Sequence, residues 1–501
     1  MISFIWLILR TGTKPSRANY PCQKVARFNV EISLTPIFAT FATWIPTITK
    51  QKKLFSENFV SFLIMVLLLT SLLTSTMRFQ ETIPLMVYEE GDIDSNNVVD
   101  IFDLQLLGKA YNSTPGDSNW NSNCDLNSDF IVNELDLEIL ASNYGIRSSV
   151  NSTVFIVTAN YTENVGNLYP AITKLFETME QNGQDIYELV QPSDVVIIKV
   201  NCQWPHRGGT NTDLVKALVQ KIVEHPQSWD GEIVIADNGQ GRGSLDWAES
   251  NSYYHNQSML DVADYFAGLG YKVSTFEWED INTVVQEFED GDYNDGYVTT
   301  PLYYEGYPCS YPKFQTKYGR YISLNRGIWN GSSYDRNRLK IINIPVLKTH
   351  SSYGVTSVVK HYMGVVSQPV SNTHYYLEYG AMGDILHLAY PDLNIIDAIY
   401  VNPEPWDGPQ TPYGQAVLVD TILASTDPIA LDYIGSKDVL MPVAEAQGFN
   451  SSSIDPDLDV RGTWNWGYRQ YLVASYNKLL GYGYSVTMDR NRITVIKEGT
   501  A

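Results

Sequence analysis

Two stretches of the chain, Asp92–Asp103 and Asp125–Asp136, run in register. The first reads Asp-Ile-Asp-Ser-Asn-Asn-Val-Val-Asp-Ile-Phe-Asp, the second Asp-Leu-Asn-Ser-Asp-Phe-Ile-Val-Asn-Glu-Leu-Asp. Each places oxygen-bearing side chains at loop positions 1, 3, 5, 9 and 12. A loop of that spacing bends back on itself and surrounds a calcium ion with hard oxygens. The first copy offers Asp92, Asp94, Asn96, Asp100 and Asp103, with the Val98 carbonyl at position 7. The second offers Asp125, Asn127, Asp129, Asn133 and Asp136, with the Ile131 carbonyl. Val99 and Val132 are in step, and Leu104, Leu107 and Tyr111 fall on Leu137, Leu140 and Tyr144. The pattern predicts two calcium ions, each held by a loop that runs into a helix.

The copies differ at position 6, where the bend calls for a left-handed backbone. Asn97 tolerates that conformation and Phe130 resists it. Position 12 is Asp in both copies, which shortens the reach to the ion. From Glu90 to Gly145 the segment resembles the dockerin domain, and Gly116-Asp-Ser-Asn-Trp-Asn-Ser-Asn-Cys-Asp125 resembles the joint between dockerin copies. The resemblance implies a small all-α duplicated loop-helix module folded by calcium. It also implies docking onto a cohesin module of a scaffold or surface protein, through helix residues such as Leu104, Gln105, Lys109, Leu137 and Glu138. A spacer role remains the alternative, because the module lies near an apolar segment instead of at a C-terminus.

That segment is Phe59–Met77, free of charge and preceded by Lys50, Lys52 and Lys53. A basic flank and an apolar core form an export signal or an uncleaved membrane anchor. Either places the rest of the chain outside the cytoplasm, extracellular or at the cell surface. Residues 1–58 form an extension without clean periodicity. The N-x-[ST] triplets at Asn112, Asn151, Asn160, Asn256, Asn330 and Asn450 permit glycosylation in an exported protein.

Lysine and arginine number 34 against 56 aspartates and glutamates, a net charge of −22 in 501 residues. Nucleic acid as a partner is excluded on that balance, since it needs a basic footprint. Cys22, Cys124, Cys202 and Cys309 have no C-x-x-C spacing, so no iron–sulfur cluster is expected. A disulfide between two of the last three is open on sequence. The 34 Tyr and 11 Trp form no local cluster that marks a stacking surface.

The sequence divides into an extension (1–58), the apolar segment (59–77), the calcium module (88–147) and an α/β domain (151–501) with an insertion at about 280–338. In the last, Thr153–Ala159, Val195–Val200, Glu232–Asp237, Lys272–Phe276, Lys340–Leu347, Leu393–Val401 and Ala416–Ala424 read as strands. Leu168–Asn182, Asp213–His225, Ser258–Leu269, Tyr353–Gly364 and Pro428–Leu440 read as helices. Tyr484–Asp489 and Arg492–Lys497 read as a closing hairpin. The alternation predicts an α/β fold with a mostly parallel, helix-covered sheet.

Ligands in such sheets sit beyond the carboxyl ends of the strands. Candidate catalytic residues at those ends are Lys199, Asp237, Lys348 and His350, with Asp397 in the Leu393–Val401 strand and Lys360 in the following helix. Asp427 reads as a helix N-cap. The glycine loop from Gly239 to Gly243 is not a dinucleotide fingerprint.

Ile344-Pro-Val-Leu-Lys-Thr-His350, Gly354-Val-Thr-Ser-Val-Val-Lys360 and Gly364 resemble the core motif of domain-of-unknown-function family 362. Val196-Ile-Ile-Lys-Val-Asn201, Ile233-Val-Ile-Ala-Asp237, Leu393-Asn-Ile-Ile-Asp397 and Ala424-Ser-Thr-Asp-Pro-Ile-Ala-Leu-Asp432 resemble its other blocks, in order. The resemblance runs from about Val195 to Leu440. His361 stands where that family usually has Asn. Some members carry ferredoxin-type cysteines, which this chain lacks. The resemblance implies no particular reaction, so the sequence leaves open whether the chain is an enzyme.

Three readings follow. One is an enzyme acting on an anionic small molecule, with Lys199, Lys348 and Lys360 holding a carboxylate or phosphate. In it His350 transfers protons, and Asp237 and Asp397 serve as base or metal ligands. Another is a non-catalytic binding or surface-architecture protein, with the lysines paired to Asp237 or Asp397. The third is an accessory in polysaccharide degradation, for which no glycosidase carboxylate pair stands out.

Overall fold

The computed structural model describes residues 91–94, 99, 101–127, 129–143, 150–159, 169–239, 257–301, 308–367, 380–462 and 465–500. Residues 1–58 and the apolar segment Phe59–Met77 lie outside them. Among the described residues no helix is long and apolar enough to cross a membrane. The chain falls into two compact units, one containing Leu107–Glu138 and the other containing Tyr88–Leu106 together with Ile139–Ala501.

Two ten-residue helices follow the twin loops, α1 (Ile101–Ala110) and α2 (Glu134–Asn143). Within the Leu107–Glu138 unit, Asn112 N donates to Val132 O at 2.8 Å and Val132 N to Ser113 O at 3.0 Å. This reciprocal pair ties the end of α1 to the second loop, and Val132 and Cys124 are fully buried there.

The larger unit is a mixed α/β fold around a ten-stranded sheet. In chain order its strands are β1 (Ser152–Thr158), β2 (Val195–Lys199), β3 (Glu232–Asp237) and β4 (Lys272–Glu277). After five short strands come β10 (Leu339–Asn343), β11 (Val346–His350), β12 (Gly354–Thr356), β13 (Leu393–Asn402), β14 (Val417–Ser425) and β15 (Ile493–Gly499). The order across the sheet is β15-β1-β14-β13-β10-β2-β3-β4, with β11 and β12 joined through β13. The central block β13-β10-β2-β3-β4 is parallel. β14 runs antiparallel to both β1 and β13. The sheet is therefore mixed at that side.

Unbroken Val/Ile runs in β2 and β3 are explained by burial on both faces. Val195, Ile197, Val234 and Ala236 enter one core, and Val196, Ile198, Ile233 and Ile235 the other. The second core is closed by α3 (Ala171–Gln181), α4 (Thr212–Val223) and α5 (Met259–Gly268), through Leu175, Leu218 and Phe266. The first is closed by α6 (Val358–His361), α7 (Ala381–Leu388), α8 (Pro428–Ile434) and α9 (Tyr468–Gly481). Asp427 caps α8, its Oδ1 accepting from Ile429 N and Ala430 N at 2.9 and 3.0 Å.

Three expected elements are otherwise. Lys340–Leu347 is two strands, because Pro345 lacks the N–H that would continue the ladder. The chain then moves over to β13, pairing Val346 with Asp397. Tyr353–Gly364 is not one helix. Gly354 has φ +77, and the β-branched Val355 and Thr356 pair antiparallel with β11. Tyr484–Asp489 is not a strand, and no hairpin closes the fold. Instead β15 adds in parallel to β1. The segment 296–335 forms a separate antiparallel sheet of β5 (Gly296–Pro301), β6 (Pro308–Gln315), β7 (Tyr321–Ser323), β8 (Gly327–Trp329) and β9 (Tyr334–Asp335). Cys124, Cys202 and Cys309 are buried, and among the described residues no disulfide joins them.

Candidate functional site

In the first loop the carboxylates of Asp92, Asp94 and Asp103 offer ligand atoms within 4.8 Å of one another. Asp103 Oδ1 also accepts from the backbone N–H of Ile93 and Asp94, at 2.7 and 3.1 Å. Asn96, Val98 and Asp100 lie outside the described residues. In the second loop Asp136 plays the part of Asp103, with Oδ1 accepting from Leu126 N at 2.7 Å and Oδ2 from Asn133 N at 2.8 Å. Asp125 accepts from Asp129 N and Phe130 N, Asp129 from Ile131 N, and Asn133 from Leu135 N. Asn127 joins Asp129 at 2.9 Å. Phe130 takes φ +69, the left-handed bend that position 6 demands, despite its side chain. On the expected docking helices, Gln105, Lys109 and Glu138 are exposed while Leu104 and Leu137 are half-buried.

A second site lies in the larger unit, at the carboxyl ends of β2 and β3. Lys199, Asp237, His350 and Lys360 line one cavity of about 300 Å³. Lys199 closes β2 and is 1% exposed. Its Nζ donates to Asp237 Oδ1 at 2.7 Å and to Val200 O at 2.9 Å, and lies 3.0 Å from His361 Nε2. Asp237 Oδ2 accepts from Cys202 N at 2.7 Å. Burial pushes the Lys199 amine below its ordinary pKa and the Asp237 carboxyl above its own, and each charge partly restores the other.

The pairing of strands extends this pair into a polar row. Lys199 sits opposite Asn343 in the β2–β10 register, and Asn343 opposite Asn394 in β10–β13. His361 Nδ1 is 2.6 Å from Asn343 Oδ1, and Asn343 Nδ2 donates to Asn394 Oδ1 at 3.0 Å. Since Asn343 Oδ1 only accepts, the proton sits on His361 Nδ1 and its Nε2 accepts from Lys199. Burial and the Lys199 ammonium hold His361 well below the usual imidazole pKa, which keeps that tautomer neutral. Gly364 is required beside the pair. A Cβ there would lie 2.5 Å from Lys199 Nζ and 2.6 Å from Asp237 Oδ1.

His350 is half-buried, and its Nδ1 accepts from Ser352 N at 3.0 Å. The neutral ring therefore carries its proton on Nε2 and offers a donor there. Lys360 lies 4.8 Å over the Tyr353 ring. α6, which carries Lys360 and His361, is held by Asp432, whose two carboxylate oxygens accept from Val358 N and Val359 N at 2.8 and 3.0 Å.

Lys348 and Asp397 are not among the residues that line the cavity. Lys348 is fully buried and donates to Gly208 O at 2.5 Å. Burial and the Lys360 charge push its amine well below the ordinary pKa, while Asp237 and Asp397 oppose that. Asp397 is buried, accepts from Asn211 N at 2.8 Å and Ile399 N at 3.1 Å, and is pushed up to about 6 by burial. It fastens the start of α4. Of the glycine loop, residues 240–243 lie outside the described residues.

The sequence did not single out the aromatic part of the lining. Trp204, Tyr353, Trp466 and Pro409 line the same cavity. Trp466 stacks on Tyr353 at 4.9 Å between centroids with an interplanar angle of 6°. These residues come from four separated segments; Trp204 lies three positions beyond Asn201 and Tyr353 three beyond His350, while Pro409 and Trp466 stand away from every flagged residue.

Residues 90–143 match the family model of the dockerin type I domain. Residues 338–437, which carry Lys348, His350, Lys360, His361 and Asp397, match that of a domain of unknown function, DUF362. No curated protein matches the chain. The chain is thus a dockerin-bearing protein with a DUF362 domain after it, which supports calcium binding and docking to a cohesin-bearing partner.

Proposed function

We propose that the protein is exported and held on a cohesin-bearing partner by two calcium-filled loops, and that its α/β unit binds a small anionic molecule in the strand-end cavity. The observation that carries the second part is the charge around that cavity. Lys199 and Lys360 line it, Lys348 is buried behind it, and the chain as a whole carries −22. Asp237 is the carboxylate among the described lining residues, and it is already bonded to Lys199 and Cys202 N. A cationic concavity in an acidic protein favours a carboxylate or phosphate group. His350 adds a donor from Nε2, in a hydrogen-bonding role at the ligand.

The test is calorimetric titration of the calcium-saturated protein with acetate and with inorganic phosphate. Saturable binding is expected, weakened about tenfold or more in Lys360→Gln. Absence of saturable binding by either anion, or an unaffected Lys360→Gln, overturns the reading. For the loops, calcium should produce a folding transition with two equivalents bound, and Asp92→Ala with Asp125→Ala should abolish it. A protein whose spectrum ignores calcium refutes that part.

A further inference from the structure

The cavity is lined by two unlike kinds of side chain. Its charged lining residues are Lys199, Asp237 and Lys360 and its indole-bearing ones Trp204 and Trp466, with Tyr353 between the two kinds, under Lys360 and against Trp466. Both tryptophans are half-buried. Each is fixed independently. Trp466 lies flat against Tyr353, which is 4% exposed and braced on its edge by His350 at 5.1 Å. Trp204 packs on Gly208, where an added Cβ would stand 2.8 Å from the Trp204 Cβ. The carbonyl of that same Gly208 is gripped by the buried Lys348. Lys348, away from the lining, thereby positions one aromatic side of the site.

Small-ligand sites combine apolar and aromatic walls with a few placed polar groups, and 300 Å³ is at the lower end of their size. Inorganic phosphate or acetate would use only the cationic residues here. Resting on the anion-binding reading above, we infer that the ligand is a cyclic organic anion, its carboxylate or phosphate at Lys360, near the already bonded Lys199 ammonium, and its ring against Trp204 and Trp466. The indoles favour a ring because offset stacking adds to the burial of its faces. A ligand of this class meets both kinds of side chain at once, and a linear acid of equal charge meets one.

Matched pairs of anions test this in the calcium-saturated full chain, with affinities read by calorimetry and tryptophan fluorescence. Benzoate should bind roughly three- to tenfold tighter than acetate, and phenyl phosphate tighter than inorganic phosphate by the same factor. Trp466→Ala should bring both ratios to about one. Trp204→Ala serves as a second variant, since losing Trp466 also uncovers Tyr353. Ratios near one in the unmodified protein, or ratios that survive both substitutions, overturn the inference while the anion reading stands. If neither the small nor the ring-bearing anions bind, the anion reading falls and this inference with it.

Discussion

Replacing Asp237 by alanine probes the most enclosed charges of the strand-end site. Lys199 Nζ and Asp237 Oδ1 are 2.7 Å apart, and each side chain is 2% exposed. Deleting the carboxylate strands a buried ammonium, a change that costs about 3–5 kcal/mol. It also strands the Cys202 N–H, which bonded to Oδ2, for about 1–3 kcal/mol more. The two terms do not simply add, because the lysine has an escape. Burial already depresses its pKa, and Asp237 is the main group opposing that. Without Asp237 the amine sheds its proton and stays bonded to Val200 O. The loss should therefore fall near about 4 kcal/mol, a large share of the roughly 5–15 kcal/mol that holds a domain folded.

The assay is urea unfolding of the calcium-saturated protein at neutral pH, followed by tryptophan fluorescence with the denaturant slope unchanged. Adding Lys199→Met to Asp237→Ala removes the stranded amine, so the double variant should be more stable than Asp237→Ala alone. A coupling of about 2–3 kcal/mol between the sites is expected. A cost below about 1 kcal/mol for Asp237→Ala, or losses that add without coupling, would refute the reasoning.

Two further outcomes follow from particular groups. Asp432 is pushed up to about 6 by burial although Val358 N and Val359 N favour its charge, so the folded state holds its proton more tightly than the unfolded state does. Its ionisation therefore removes stability as pH rises from about 4 to about 6, of order 2–3 kcal/mol. The stability difference between the unmodified protein and Asp432→Asn should shrink by that amount over this range in pH-dependent unfolding; a difference flat in pH sinks the assignment. In the second loop, Phe130→Gly should relieve a left-handed residue at φ +69 and stabilise the calcium-bound form by about 1 kcal/mol. A calcium affinity that falls on this substitution would show that the exposed ring contributes something the bend does not.

Much of the fold was legible because the central strands carry their evidence locally. The Val/Ile runs of β2 and β3 admit few alternatives once both faces are known to be covered. What failed was decided far away in sequence. Residues 353–364 looked helical, yet the helix starts only at Val358, where Asp432, 74 residues on, receives its first N–H. The last strand pairs with β1, at the other end of the domain, and nothing within 484–497 announces that partner. The strand-end rule brought Lys199, Asp237 and His350 to one cavity, which Lys360 joins from α6. The rule says where a strand stops, not which way its last side chains turn. Lys348 passes it equally well on sequence and still lies off the lining, and Asp397 sits in the middle of β13. The aromatic part of the lining had no local signature, since its members meet only after four segments converge.

His361 shows how a departure from a family pattern can leave the chemistry intact. An asparagine is usual there in the family that this segment resembles. The side chain must accept from Lys199 and donate to Asn343, because Lys199 has only protons to give and Asn343 presents its oxygen. An asparagine meets both demands with its carbonyl and its amide. A neutral imidazole protonated on Nδ1 meets them in the same sense. An imidazolium does not, since its Nε2–H would face an ammonium at 3.0 Å. The well-depressed pKa of His361 is thus a condition for the substitution to preserve the row. Lys199 keeps three acceptors in either case, Asp237 among them.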